Sequence, residues 1–137
     1  MIFLDTNVIS ETFKPKPSEA VTAWIIRFEI ELAISTVVLG EVLYGIRKIH
    51  PDPRAARWEV SLSLWRSRLA GNIHSYQQDD ADAYGSLMAN AAKLGRPIAP
   101  PDAMIAAVAM VNGGKLATRN IRHFEGLGLE LINPWEF

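Results

Sequence analysis

Short apolar runs that stop at a polar residue and give way to helix-forming sequence recur along this chain, and that alternation decides its fold class. The first run is the clearest: Ile2-Phe3-Leu4 leads into an aspartate, Asp5, followed by Thr6 and Asn7. A strand that ends in a carboxylate, with a helix starting directly behind it, sets that carboxylate on the rim at the carboxyl ends of the strands. Open α/β sheets keep their ligand sites there.

The same reading extends through the chain. Met1 to Leu4 reads as a buried strand and Asn7 to Phe13 as a short helix, stopped by Pro15 and Pro17. Ser18 is an N-cap with Glu19 in the first turn of a helix carrying Val21, Trp24, Ile25 and Phe28. Glu31 to Ser35 is a second strand, and Ser35 or Thr36 caps a helix that runs to about Lys48. After the Pro51-Asp52-Pro53 loop, Trp58, Leu62, Trp65 and Leu69 fall on one helical stripe. Ile73 to Tyr76 is a third strand, and Asp80 to Leu94 a helix closed by Gly95. Pro100-Pro101 opens an alanine-rich helix that ends at Asn112-Gly113-Gly114. Leu116-Ala117-Thr118 and Leu129 to Ile132 complete five strands. Strands separated by helices pair in parallel through right-handed crossovers. The expected class is therefore α/β, with a mostly parallel central sheet and helices on both faces, in one domain over residues 1–137.

Composition narrows the function. The 137 residues are 49% hydrophobic and 21% charged, in the range of a globular chain with one buried core. With no cysteine there is neither a disulfide nor a thiolate metal site, which fits a reducing cytosol. No run approaches a membrane span and no signal peptide is visible, so a soluble cytoplasmic protein is expected. A net charge of −1 excludes a bulk-basic nucleic-acid binder; contact with a polyanion would need a local basic patch or a metal ion.

Three carboxylates stand at informative places. Asp5 ends the first strand, Glu41 lies in the helix after the second, and Asp102 opens the alanine-rich helix. The fourth strand runs into Thr118-Arg119-Asn120, another polar cluster at a strand exit. Each has an ordinary explanation: Asp5 as a helix cap, Asp102 as a first-turn residue favoured by the dipole, Glu41 on a solvated helix face. Converging on one rim, they would instead suit a hard divalent cation such as Mg²⁺, which takes a few carboxylate oxygens and keeps several waters. Such a site neutralises a phosphate oxygen and activates a water. Without cysteines or a paired-histidine motif, zinc is the weaker choice.

These segments together resemble the PIN-domain ribonucleases, specifically the VapC/FitB-like toxins of type II toxin–antitoxin systems. The resemblance rests on the stretch from Met1 to Glu11, Ser35 to Gly45 around Glu41, Gly95-Arg96-Pro97-Ile98, and Asp102 to Ala107. It closes with Leu116 to Asn120, Phe124 and Ile132-Asn133-Pro134-Trp135. It implies a three-layer PIN-like sandwich and Mg²⁺-dependent (or Mn²⁺-dependent) cleavage of RNA. By position it implies Asp5, Glu41, Asp102 and Asn120 as catalytic residues, with Asp5, Asp102 and Glu41 on the metal. Thr6, Asn7 and Thr118 would support them, or serve equally as turn and cap residues. Arg119, Arg96, Arg47 and Lys48 would meet the RNA. The resemblance also implies a homodimer and a cognate antitoxin that binds DNA.

Two positions depart from the family pattern. His123 stands where relatives commonly carry an aspartate, and reads as a surface residue; Gln77-Gln78 replaces an acidic pair. With Asn120, His123 makes a less acidic rim; no function is read into the Gln77-Gln78 change. Two other readings remain in view: a PIN-like module that binds RNA or a partner without catalysis, and a phosphoaspartyl phosphatase. The latter expects an aspartate two residues after Asp5, where this chain has Asn7.

Overall fold

A computed structural model describes residues 1–137. Five strands form one sheet, all parallel, in the order β3-β2-β1-β4-β5. They are β1 (Ile2–Leu4), β2 (Leu32–Ser35), β3 (Ile73–His74), β4 (Lys115–Ala117) and β5 (Leu131–Ile132). The helices covering the two faces are α1 (Thr6–Glu11), α2 (Glu19–Phe28), α3 (Thr36–Arg47), α4 (Pro53–Arg68), α5 (Gln78–Lys93), α6 (Pro100–Val111) and α7 (Ile121–Phe124). Single 3₁₀ turns follow α2 at Glu29–Glu31 and close the chain at Pro134–Glu136.

The strand order contains the key to the site. The chain lays down β1, β2 and β3 outward in one direction, then returns through α5 and α6 to place β4 on the other side of β1. The direction of winding therefore reverses between β1 and β4, the switch point at which open α/β sheets form a crevice. Leu4 pairs with Ala117, and the Asp5 N–H donates to the Ala117 carbonyl at 2.9 Å, so Asp5 and Thr118 leave the sheet side by side.

Local chemistry explains the elements. The central strands are short and buried throughout, as expected where both faces are covered. Ser18 caps α2 by accepting from the Val21 N–H, and Ser35 caps α3 by accepting from the Val38 N–H. Thr36, the alternative cap, instead accepts the Tyr76 N–H at 3.1 Å. Asp52 caps α4, and Asp80 completes a capping box on α5 by accepting the Gln77 N–H at 2.7 Å. Helix α6 is apolar nearly all round, with Ala103 and Ile105 through Ala109 buried, and it passes through the core. Its end is a Schellman turn: Gly113, at φ +65°, donates to Met110 O and Gly114 donates to Ala109 O.

Several boundaries move. The third strand stops at His74, since the Tyr76 N–H is taken by Thr36. The fifth begins only at Leu131, while α5 begins earlier, at Gln78. The sheet is wholly parallel, and α7 had no counterpart in the sequence reading. The aromatic stripe is mostly core. Leu62, Trp65 and Leu69 are buried, Trp65 donates from Nε1 to Thr12 Oγ1 at 2.9 Å, and Trp58 is half-buried against Phe13.

Candidate active site

Asp5 is 5% exposed and accepts three hydrogen bonds at the switch point. Its Oδ1 takes the Thr6 N–H at 2.8 Å; its Oδ2 takes the Thr118 hydroxyl at 2.7 Å and the Asn7 amide at 3.0 Å. Three donors from two sides of the crevice fix the plane of this carboxylate. Asp5 does cap α1, but through the adjacent N–H only. Its other oxygen is oriented by residues from β4 and α1, which capping does not require.

The ring continues outward. Thr6 Oγ1 donates to Glu41 Oε1 at 2.6 Å, which brings α3 to the rim. Asn7 Oδ1 accepts the Arg119 N–H at 3.2 Å, and Thr118 Oγ1 accepts the Asn120 N–H at 3.0 Å, which tie the β4 exit to α1. Thr6, Asn7 and Thr118 are thus joined directly to the carboxylates. The Asn7 amide, placed where a phosphoaspartyl enzyme needs a second aspartate, is spent on holding Asp5 and Arg119.

Asp102 occupies the third position of α6, behind Pro100 and Pro101, and makes no cap hydrogen bond. Its side chain is 22% exposed, and Nδ1 of His123 lies 3.4 Å from its Oδ2. Burial pushes the Asp102 carboxyl up, the charge of Asp5 adds to this, and His123 only partly offsets it. Glu41 is raised chiefly by burial, then by Asp5 and Asp102, despite the Thr6 hydrogen bond. The charge of Asp5 therefore bears on both raised carboxyls, and that of Asp102 on Glu41 as well. No three acidic or histidine side chains close into a ready-made cage.

The remaining expected residues separate. Asn120 is exposed, and only its backbone N–H joins the network. Arg119 lies with its guanidinium over the Trp135 ring, 5.2 Å from the centroid. Arg96 lines a cavity that has Asp102 in its wall. Arg47 is off the crevice: six residues along a helix from Glu41 is most of the way to the opposite face. Lys48, seven residues on, shares the Glu41 face and lines the groove on that side with Thr6, Phe13, Tyr44 and Trp58. The spacing of Lys48 was readable in the sequence. His123 was read as a surface residue; although 58% exposed, it sits against Asp102. Only the unforeseen helix α7 brings it there.

A parallel sheet with carboxylates gathered where its winding reverses defines a class of α/β enzyme-like scaffolds with an acidic crevice. Residues 2–127 match the PIN domain, and the chain belongs to that family. It is 39% identical over 138 residues to VapC ribonuclease Y4jK of Sinorhizobium fredii, covering 99% of both chains. It is 31% identical to toxin FitB of Neisseria gonorrhoeae, covering 98% of this chain and 99% of that one. Among solved structures it superposes on VapBC2 from Rickettsia felis bound to a promoter DNA fragment, with a TM-score of 0.84 at 27% identity. That match covers 97% of this chain and 98% of the other.

Proposed function

We propose that this protein is a divalent-metal-dependent ribonuclease and the toxic component of a type II toxin–antitoxin module, folded as a single PIN domain over residues 1–137. The observation that carries the reading is the gathering of Asp5, Glu41 and Asp102 at one switch-point crevice, where Thr118 and Thr6 orient the first two and the charge of Asp5 bears on both of the others. A fold gains nothing by gathering half-buried like charges unless something positive is to join them. Similarity to a VapC ribonuclease and to the toxin FitB supports the choice of substrate class and biological role.

The donor set fits a hard cation. All the gathered groups are carboxylate oxygens, and Mg²⁺ binds through one or two carboxylates while keeping several waters, so a closed three-residue cage is not required. Asp5 and Asp102, with Glu41, would hold the ion, and Mn²⁺ suits the same oxygens. Once bound, it would offset phosphate charge and lower the cost of activating a water, the two needs of phosphodiester hydrolysis. The chain's own residues preorganise the rest. Thr118, Asn7 and the Thr6 N–H lock Asp5, the Thr6 hydroxyl locks Glu41, and His123 faces Asp102. Arg119 and Arg96, on either side of the crevice, supply cations for the RNA backbone that a chain of net charge −1 must provide locally.

The antitoxin belongs to the same reading, supported by likeness to the VapBC2 complex. Self-association does too; exposed Tyr44, Val60 and Leu64 on α3 and α4 offer apolar surface for it. A cytoplasmic location accords with the lack of any helix long and apolar enough to cross a membrane. A competing reading, a PIN module that binds without cutting, draws on Asn120, whose side chain joins no part of the network. One assay separates them. Purified protein should cleave RNA with Mg²⁺ or Mn²⁺, lose activity in excess chelator, and lose at least about a hundredfold on Asp5→Asn. Undiminished cleavage in chelator, or by Asp5→Asn, would refute the mechanism; no cleavage by the wild type would favour the binding module.

A further inference from the structure

A cavity of about 340 Å³ opens beside Asp102, between α5, the turn at 95–99 and the stretch following α7. Its walls are apolar where they are deepest: Leu87 and Ile98 are buried and Leu127 is half-buried. Its mouth carries Arg96, Arg122 and His123 against one exposed carboxylate, Glu125, and Asp102 forms part of the wall. Neither guanidinium is held in an ion pair, whereas Arg54 and Arg68 elsewhere on the surface are committed to Asp52 and Glu29. Free planar cations around an apolar slot, with one wall shared by a proposed hydrolytic carboxylate, match a flat heteroaromatic group attached to phosphate. Bases splayed from single-stranded RNA are bound in this way, with their faces on apolar or guanidinium surfaces and their phosphates on arginine. The volume is at the low end of the roughly 300–1,000 Å³ typical of ligand pockets, which suits one nucleoside and not a longer stretch.

We propose that this cavity is a subsite for the base of the nucleotide adjoining the scissile phosphate, and that it sets the sequence preference of cutting. Arg96 holds the phosphate at the mouth, Leu87, Ile98 and Leu127 receive the faces of the base, and Arg122 meets its edge. Because Arg122 only donates, a base presenting paired acceptors, as guanine does with O6 and N7, is favoured over one that does not. The proposal rests on the ribonuclease reading above and adds to it where on the RNA the enzyme cuts.

The test is to sequence the ends left on a randomised RNA by three proteins: wild type, Arg122→Gln, and Asn90→Trp, which fills the mouth from the exposed face of α5. The wild type is expected to prefer one base at one position beside the cut by about tenfold or more, the size of a good base contact. Both variants should cut with that preference reduced to about twofold or less, a residue of stacking alone. An unaltered preference in either variant, or none in the wild type, overturns the proposal. If no protein cuts RNA, the ribonuclease reading falls, and the cavity is decided separately by titrating the wild type with the four nucleoside monophosphates and with ribose 5-phosphate. Base-dependent methyl NMR shifts at Leu87, Ile98 and Leu127 support the subsite. An equal response to ribose 5-phosphate, or no response, overturns it.

Discussion

Thr118 is fully buried, and its hydroxyl has three partners: it donates to Asp5 and accepts from the Asn120 N–H and, at 3.4 Å, from the Asn7 amide. Replacing it with valine keeps the volume but leaves a buried carboxylate oxygen short of a donor and a backbone N–H without an acceptor. Thr118→Val should therefore lower cleavage about 10–100-fold, the usual cost of losing a group that orients a metal ligand. It should also destabilise the fold by about 1–3 kcal/mol. Thr118→Ser, which keeps the hydroxyl, should restore most of both; single-turnover RNA cleavage and denaturant unfolding read the two effects. At this scale much of the candidate site was legible. Asp5, Glu41 and Asp102 were found from their places relative to strands and helices, and Thr6, Asn7 and Thr118 from their adjacency. What the sequence left open depended on rotation and on tertiary approach. Arg47 and Lys48 are neighbours in sequence, yet only one turns toward Glu41. His123 reaches Asp102 through a four-residue helix too short to leave a periodic signal.

The elements with chemical punctuation were read well. Ser18, Ser35, Asp52, and the Pro100-Pro101 pair each mark a helix start by a mechanism that acts within a few residues. The edge strands were read too long, because their ends are set by partners distant in sequence, as when Thr36 takes the Tyr76 N–H out of the ladder. The join between α6 and β4 shows an element-level constraint that composition conceals. A Cβ on Gly114 would stand 2.8 Å from the Phe3 ring and 3.2 Å from the Met1 carbonyl, so the chain can enter β4 only where a side chain is missing. Gly114→Ala should cost about 1–3 kcal/mol by overpacking against β1. Gly85→Ala, in the exposed middle of α5 with open space around it, should stabilise by about 0.5–1 kcal/mol. Urea unfolding of the two variants gives the comparison, and similar midpoints would contradict this account of the β1–β4 contact.

For the molecule as a whole, the crevice couples stability to pH and to metal. Burial first, and then neighbouring charge, lifts the Glu41 and Asp102 carboxyls above their ordinary values near 4. A carboxyl raised in the native state binds protons that the unfolded chain has already released. Its contribution is therefore fully present below the ordinary value and is lost as pH rises through the folded value. Thermal unfolding should show that loss, and Glu41→Gln should flatten it relative to wild type. At neutral pH, saturating Mg²⁺ should reverse it and raise Tm by several degrees, about 4 °C for each kcal/mol in a chain of this size. Near pH 4 the gain should shrink, because protonated ligands bind the cation poorly. A Tm unmoved by Mg²⁺ at neutral pH would speak against a cation in this crevice.

The clamp on Asp5 closes between residues 113 positions apart. No partial chain that stops before Leu116 possesses both halves of it, so a ribosome makes the aspartate more than a hundred residues ahead of its anchor. Until β4 is made, β1 lacks its neighbour on one side, and the aspartate at its tip has no hydroxyl to fix it. Such long-range pairing forms late in folding. The crevice acquires its shape only once β4 docks beside β1, and until then a nascent chain carries its aspartate unset.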